Sequence, residues 1–435
     1  MTDARTDTAT ATKRVRKALV VIASVTVLIA LLMWRFGRSY FAFWDTQTYV
    51  DAFDNILRDG VDVIRTPLYP MLLGLCRAVF GDALWAHAVV FVQLAAFIAT
   101  VPLVLSVARR LMKPRAAVIV TAVYAWCPTF VSFALFVMPD IWCVIGVVCL
   151  MYLSQRLLQR NDRRAMLWCT LTTVALVFLK PSNIYLSIWW GVIALILLIY
   201  RQRRWWQPLV IAAVPALLLG GYGLLVQRQL GYYSVSIVSD INDLGNSAQR
   251  RKLVPELAPD SATAQLFRDI NACDSVPNLR RRQMAFVGTE HLTQSEIHRI
   301  MTDTKAYDRA RWYRGIAVRL FESLPSNAFP IHGSEGFKYY AQSLHISFYV
   351  VYLLLFAALL RLTVSGFACC RRRAVAASAT SGDRACRLQL WALWILTCGG
   401  IATAIIGGFD DFGRLSMGVY PALIVFCGAL LSPRQ

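Results

Sequence analysis

The sequence predicts an all-α polytopic membrane protein with about ten transmembrane helices. Three observations predict it: the composition, the apolar runs and the placement of basic residues. Of the 435 residues, 57% are hydrophobic and 16% charged, where a soluble domain carries about 45–50% apolar and about 25% charged residues. That apolar fraction excludes a disordered chain. Eleven cysteines are present, but most lie in apolar stretches, and the one long polar region holds only Cys273. A disulfide scaffold is therefore excluded too.

A membrane helix takes about 20 residues. Runs of suitable length and polarity predict spans at 18–34, 86–107, 116–137, 141–158, 165–179, 184–200, 208–226, 346–362, 389–407 and 416–431. The run at 69–80 is too short to cross and contains Arg77, which suits an interfacial helix. The first span has a long basic leader and ends Met33-Trp34-Arg35-Phe36. Without a small-x-small cleavage site it reads as a retained anchor.

The net charge of +20 invites a nucleic-acid reading. Location decides against it. With the N-terminus inside, the predicted inner segments hold 23 basic residues against four acids, Asp3, Asp7, Asp162 and Asp383; all the remaining segments hold 22 basic against 21 acidic residues. The basic excess is thus a topology signal, the positive-inside rule, with both termini expected in the cytoplasm and no nucleic-acid partner. Three parts follow: a membrane module over 1–226 with seven spans, an extracytoplasmic segment over 227–345, and a three-span module over 346–435. The inner loop 363–388 has low-complexity composition from Ala374 to Gly382 and reads as a flexible linker. No internal repeat is visible, which argues against an inverted-repeat transporter. In the long outer segment, 232–239 alternates as an extended stretch or strand would, 261–272 and 293–323 read as helices, and Arg280-Arg281-Arg282 reads as a solvated charge run.

Ionisable residues near a bilayer mark function, and here they gather on the predicted outer side. The first outer loop, 35–85, contains Phe43-Trp44-Asp45-Thr46, then Asp51, Asp54, Arg58, Asp59 and Asp62. Asp45 could act as a general base or as the N-cap of the amphipathic stretch that follows it. Asp140, in the turn Met138-Pro139-Asp140, could serve a reaction or cap the next helix. Lys180 could hold a lipid-linked phosphate as a point charge or snorkel to the surface. The last outer turn offers Asp410, Asp411 and Arg414, with Arg414 either a fork for a phosphate or the partner of a turn-closing ion pair. The histidines have no metal-ligand spacing: His291 and His298 are seven apart, His332 and His345 flank the end of the segment, and no H-E-x-x-H or C-x-x-C occurs. No nucleotide-binding or hydrolase motif is present either.

The first loop resembles that of GT-C integral-membrane glycosyltransferases, in particular relatives of the protein O-mannosyltransferases and lipid A aminoarabinose transferases. The likeness runs through Asp45-Thr46-Gln47-Thr48-Tyr49, Gly60, Arg65-Thr66-Pro67-Leu68-Tyr69-Pro70 and Val79-Phe80-Gly81, then Asp140, Lys180-Pro181, Gly413-Arg414 and Tyr420-Pro421. It covers most of the membrane region and leaves out 240–335. The resemblance implies a multi-pass enzyme of a bacterial cytoplasmic membrane, with inversion at the sugar expected. It would move the sugar from a polyprenyl-phosphate donor to a glycan, lipid or protein acceptor on the extracytoplasmic face. It implies Asp45 as base or acceptor orienter, with Asp140 supporting it. It implies Arg65, Lys180 and Arg414 as cations for the donor phosphate, with Tyr69, Asp410 and Asp411 in the substrate site. No cofactor is implied, because the Asp-x-Asp or Asp-Glu pair of some relatives is absent at Asp45-Thr46, which disfavours a divalent metal. Two other classes compete. A carrier or flippase for a lipid-linked glycan would need ionisable residues at mid-membrane depth in several spans. An acyl- or phosphotransferase would lean on His332 or His345.

Overall fold

The computed structural model describes residues 2–36, 45–160, 162–273, 278–307, 381–407 and 416–433, and among these it is helical throughout, with one isolated bridge between Met112 and Pro433. The expected all-α membrane fold is what the chain adopts. Helix α1 (Thr2–Phe36) contains the first apolar run. Helix α2 (Thr46–Asp59) lies in the first outer loop, and Gly60 ends it at φ 80°, a left-handed conformation that only glycine takes cheaply. Helix α3 (Leu68–Leu111) joins the predicted interfacial helix to the second span across Gly81, which sits at φ 69° and ψ 172°. The Phe-Gly that ends the interfacial stretch in sequence is thus the corner where the chain turns into the span.

The predicted span 116–137 is corrected: it is two helices, α4 (Pro114–Ala125) and α5 (Pro128–Ala134), broken at Trp126-Cys127. The cause is Pro128. It removes a helix donor and pushes the preceding residue out of the helical region, and Cys127 sits at ψ 113°. A break in an apolar span is tolerated where protein satisfies the freed backbone groups. At the break Thr26 Oγ1 on α1 donates to Ala125 O at 3.4 Å, and at the other end of α5 the buried Gln93 side chain donates to the carbonyls of Ala134 (3.3 Å) and Phe136 (2.6 Å).

Helices α6 (Asp140–Arg160), α7 (Arg163–Leu179), α8 (Tyr185–Ile199) and α9 (Trp206–Leu230) complete the first module. Asp162 caps α7 by accepting from Arg164 N at 2.9 Å and pairs with Arg156 at 2.7 Å. Among the described residues five helices are long and apolar enough to cross a membrane, within Lys13–Arg35, Leu68–Leu111, Asp140–Leu158, Pro181–Ile199 and Trp206–Leu230. Helix α6 lies at the centre. A Cβ at Gly146 would stand 2.4 Å from Leu176, so glycine is what lets α6 and α7 approach, as small residues do between membrane helices.

The segment predicted to be extracytoplasmic contributes α10 (Val238–Gln249), α11 (Ser261–Ala272), α12 (Asn278–Gly288) and α13 (Gln294–Tyr307). They enclose an apolar cluster of their own around Leu244, Phe267, Ile270, Ile300 and Met301. Helix α11 matches expectation, and its cap Asp260 accepts from Thr263 N at 2.7 Å. That backbone bond, the largest cause, holds the Asp260 carboxyl below its ordinary range. Two points are corrected. Of the two alternatives for 232–239, the strand does not form: its serines close local turns, with Ser236 N donating to Ser234 Oγ and Val238 N to Ser236 Oγ, and α10 begins at Val238. Arg281 is not solvated but buried, donating to the carbonyls of Cys273 (3.0 Å) and Gln249 (2.9 Å). The helix over 293–323 is described only to Tyr307.

Near the C-terminus, α14 (Ser381–Gly407) begins inside the stretch predicted as linker, and a short 3-10 turn (Met417–Val419) leads into α15 (Tyr420–Leu431). Trp189 Nε1 donates to Ala392 O at 2.8 Å and ties α8 to α14. The predicted span 346–362 lies outside the described residues.

Candidate active site

Helix α2 is amphipathic, and its inner face, with Thr46, Tyr49 and Ala52 buried, docks on α3. That docking holds Asp45 at the helix entrance. The side chain of Asp45 makes no capping hydrogen bond. It pairs instead with Arg65, at 3.0 Å between Oδ1 and Nη2, with side chains 29% and 14% exposed. The cap alternative is therefore not what the carboxylate does here. Arg65 is held from three directions. Nε donates to Thr48 Oγ1 at 2.8 Å, Nη1 to Tyr49 OH at 3.3 Å, and the guanidinium lies 4.2 Å from the centre of the Tyr49 ring. An arginine has five N–H donors in a planar fork, so two remain for a ligand once these three partners are served. The pair is thus a fixed carboxylate beside a fixed guanidinium at the entrance of α2.

Asp140 is the first residue of α6 and is 2% exposed. Its Oδ1 receives Lys180 Nζ at 2.8 Å, and Lys180 is 16% exposed. Charge at a helix N-terminus is favourable when negative, and the ammonium adds the counter-charge such burial requires. The two residues that the sequence left between surface roles and chemistry are thus one buried ion pair, joining α6 to the Lys180-Pro181 turn. Asn183 supports the same corner by donating to Leu176 O (2.8 Å) and Cys143 Sγ (3.3 Å).

The two pairs are built into one cluster by the segment 135–139, which delivers Asp140. Thr46, next to Asp45, donates to Val137 O at 3.2 Å. Tyr69 is fully buried; its ring meets Tyr49 edge-on at 5.2 Å and its hydroxyl donates to Gln93 Oε1 at 3.1 Å. Gln93 in turn holds Phe136. Tyr69 therefore stands behind the site as a brace. Asp410, Asp411 and Arg414 lie outside the described residues. The residues that follow them, Met417 to Val419, pack on α6, where a Cβ at Gly418 would come within 3.3 Å of Cys143 Cβ.

Sequence reading missed several members. Thr48 and Tyr49 were visible as part of the D-x-x-x-Y stretch but had no role until Arg65 was seen to reach back to them. Gln93 carried no signal beyond being a polar residue in a span. Asp240 was missed altogether: it is buried, accepts from Tyr232 OH at 3.0 Å, and lies 3.1 Å from His298 Nδ1. Burial, followed by the Asp240 charge, raises the Tyr232 hydroxyl above its ordinary pKa. His291 pairs separately with Asp260 at 3.3 Å. Among the described residues no group of histidines, cysteines or acids could hold a metal ion. His332 and His345 lie outside them.

A polytopic helical membrane protein with a carboxylate–guanidinium pair at the entrance of α2 was compared with known proteins. Residues 64–235 match the family of dolichyl-phosphate-mannose-protein mannosyltransferases. The match holds Arg65, Tyr69, Asp140 and Lys180, and begins after Asp45. The chain also has the fold of the archaeal oligosaccharyltransferase AglB from Archaeoglobus fulgidus, at 13% identity and a TM-score of 0.51 over 96% of this chain and 50% of that one. It spans only half the length of that protein. AglB was solved in complex with an inhibitory peptide and a dolichol-phosphate. A looser likeness, with a TM-score of 0.36 and 14% identity over 94% of this chain and 77% of the other, is to ArnT from Cupriavidus metallidurans bound to undecaprenyl phosphate. No curated protein matches the sequence. What the comparisons give this chain is a helical membrane fold shared with AglB and, over residues 64–235, the mark of the mannosyltransferase family.

Proposed function

We propose that the protein is a glycosyltransferase that takes a sugar from a polyprenyl-phosphate donor and passes it to a lipid, glycan or protein acceptor on the extracytoplasmic face. The observation that carries this reading is the Asp45–Arg65 pair, fixed by Thr48 and Tyr49 and joined through 135–139 to the Lys180–Asp140 pair. Asp45 orients the acceptor hydroxyl and accepts its proton as the oxygen attacks the anomeric carbon. The carbon–oxygen bond to the carrier phosphate breaks in the same step and the phosphate leaves with the electron pair, so the sugar is inverted. Negative charge grows on the leaving phosphate, and preorganised cations stabilise such charge best where water is excluded. Arg65 supplies its two remaining N–H groups, Lys180 adds charge from the adjoining corner, and Arg414 is assigned the same role. Asp140 holds Lys180 and keeps the segment 135–139 in place. The polyprenyl tail accounts for the enzyme's place in the bilayer. The basic inner segments support placing both termini in the cytoplasm, and the membrane proposed is a bacterial cytoplasmic one.

The test is transfer by the purified protein in lipid, with radiolabelled polyprenyl-phosphate sugars as donors. Donor consumption with label on an acceptor supports the reading. Donor left intact, with label moved across the bilayer, would replace it by the carrier reading.

A further inference from the structure

Among the buried acids that the mechanism above leaves unused, Asp62 lies beside Arg65. It is 2% exposed, as deeply buried as Asp140. A carboxylate that is buried must be hydrogen-bonded or paired to be tolerated. Its Oδ1 accepts from the backbone N–H of Ile64 (2.9 Å) and of Arg65 (2.5 Å), and its Oδ2 from Asn55 Nδ2 (2.8 Å). The carboxylate is therefore wrapped by the turn that presents Arg65. The same turn is pinned from outside. Tyr222 OH on α9 donates to Asp62 O at 3.0 Å, Ser236 Oγ donates to Ile64 O at 2.6 Å, and Ile237 N donates to Val63 O at 2.9 Å. Ser236 and Ile237 belong to the chain that leads into α10, so the extracytoplasmic segment is fastened to the residues beside Arg65.

We propose that Asp62 is a positioning residue for Arg65, and that Ser236 completes its hold from the extracytoplasmic segment. The inference rests on the glycosyltransferase reading for what Arg65 does, but not for where Arg65 is held. Arg65 reaches back across the loop to three partners within about 3 Å, so a small backbone displacement loses all three together. Misplacing a binding group by about 1 Å can cost on the order of 10²-fold.

The experiment uses the full chain in lipid with undecaprenyl phosphate as probe, and Asp62→Ala, Asp62→Asn and Ser236→Ala in the presence of Arg65 or of Arg65→Ala. Asp62→Ala is expected to weaken probe binding about tenfold when Arg65 is present and less than twofold when it is not, since contacting groups show non-additive effects. Asp62→Asn, which keeps an acceptor for both N–H groups, is expected to stay within about threefold of wild type. Ser236→Ala tests the hold without touching the buried acid and is expected to fall between the two. Equal losses in both backgrounds would reduce Asp62 to a general stability role and overturn the proposal. Amide exchange of the peptide 61–67 is measured alongside. Exchange at least about tenfold faster in Asp62→Ala supports the hold, and unchanged exchange overturns it. Wild-type protein that does not bind the probe at all would overturn the donor reading, while the exchange result would still decide the positioning role.

Discussion

Replacing Lys180 by methionine keeps most of the side-chain volume but takes the ammonium from a carboxylate that is 2% exposed. Breaking a buried pair from one side costs about 3–5 kcal/mol, because the remaining charge keeps its desolvation penalty. Lys180 is itself 16% exposed and Asp140 sits at the start of α6. Residual solvent and the helix dipole both soften the loss, which sets the expectation at the lower end, about 3 kcal/mol. For large domains 1 kcal/mol shifts the midpoint by about 2–4 °C, so Lys180→Met should lower the apparent unfolding temperature by about 6–12 °C. Removing both charges, as Lys180→Met with Asp140→Leu, should recover most of the loss, since a well-packed apolar pair replaces a buried ion pair at little net cost. The assay is thermal unfolding in detergent at a fixed scan rate, followed with a fluorogenic thiol reagent. Cys143 and Cys169 are buried beside and below this corner and become reactive as the helices separate. A Lys180→Met protein within about 1 °C of wild type, or a double variant less stable than the single one, would refute the buried-pair account.

Arg65→Lys should lower transfer at least about tenfold, because an ammonium cannot serve Asp45, Thr48 and Tyr49 as a planar fork does; activity within twofold would contradict the arrangement. Gln93→Leu strands the carbonyls of Ala134 and Phe136 and the Tyr69 hydroxyl. It should cost about 1–3 kcal/mol per buried group left without its partner, read as a lower unfolding temperature and slower transfer together. Gly74→Ala places a Cβ 2.1 Å from the Phe53 ring. It should lift α2 from α3, with about 1–3 kcal/mol of overpacking, and transfer should fall more than insertion or expression does.

The sequence made the fold legible because long apolar runs bounded by arginine clusters leave few alternatives in a bilayer. The misread span, the continuous 116–137, arose because an unbroken apolar run carries no phase information. The signal was Cys127-Pro128, but whether a proline kinks or divides a membrane helix depends on whether a neighbour can satisfy the freed carbonyls. Here Thr26 does so for Ala125, from a different helix about a hundred residues away in the chain. The site was legible as a set of residues and not as a set of pairs. Asp45 at the head of an amphipathic helix reads equally as a cap, since the cap geometry and the contact with Arg65 are distinguished only by where a side chain twenty residues on is delivered. The same holds for Asp140 and Lys180, forty residues apart and 2.8 Å from each other. Arg281 and Asp240 were misjudged or missed because burial inside a polar segment is decided by the packing of α10 to α13, which no local pattern announces.

The central claim is that Asp45, fixed by Arg65, accepts the proton of the incoming hydroxyl. Its most direct measurement is single-turnover sugar transfer from a radiolabelled polyprenyl-phosphate donor by wild type and Asp45→Asn, with binding of the donor to each measured in parallel. The account predicts that Asp45→Asn binds donor within a few-fold of wild type and loses at least about 10²-fold in the transfer step, the scale expected of a general base. Transfer at an unchanged rate by Asp45→Asn would contradict it.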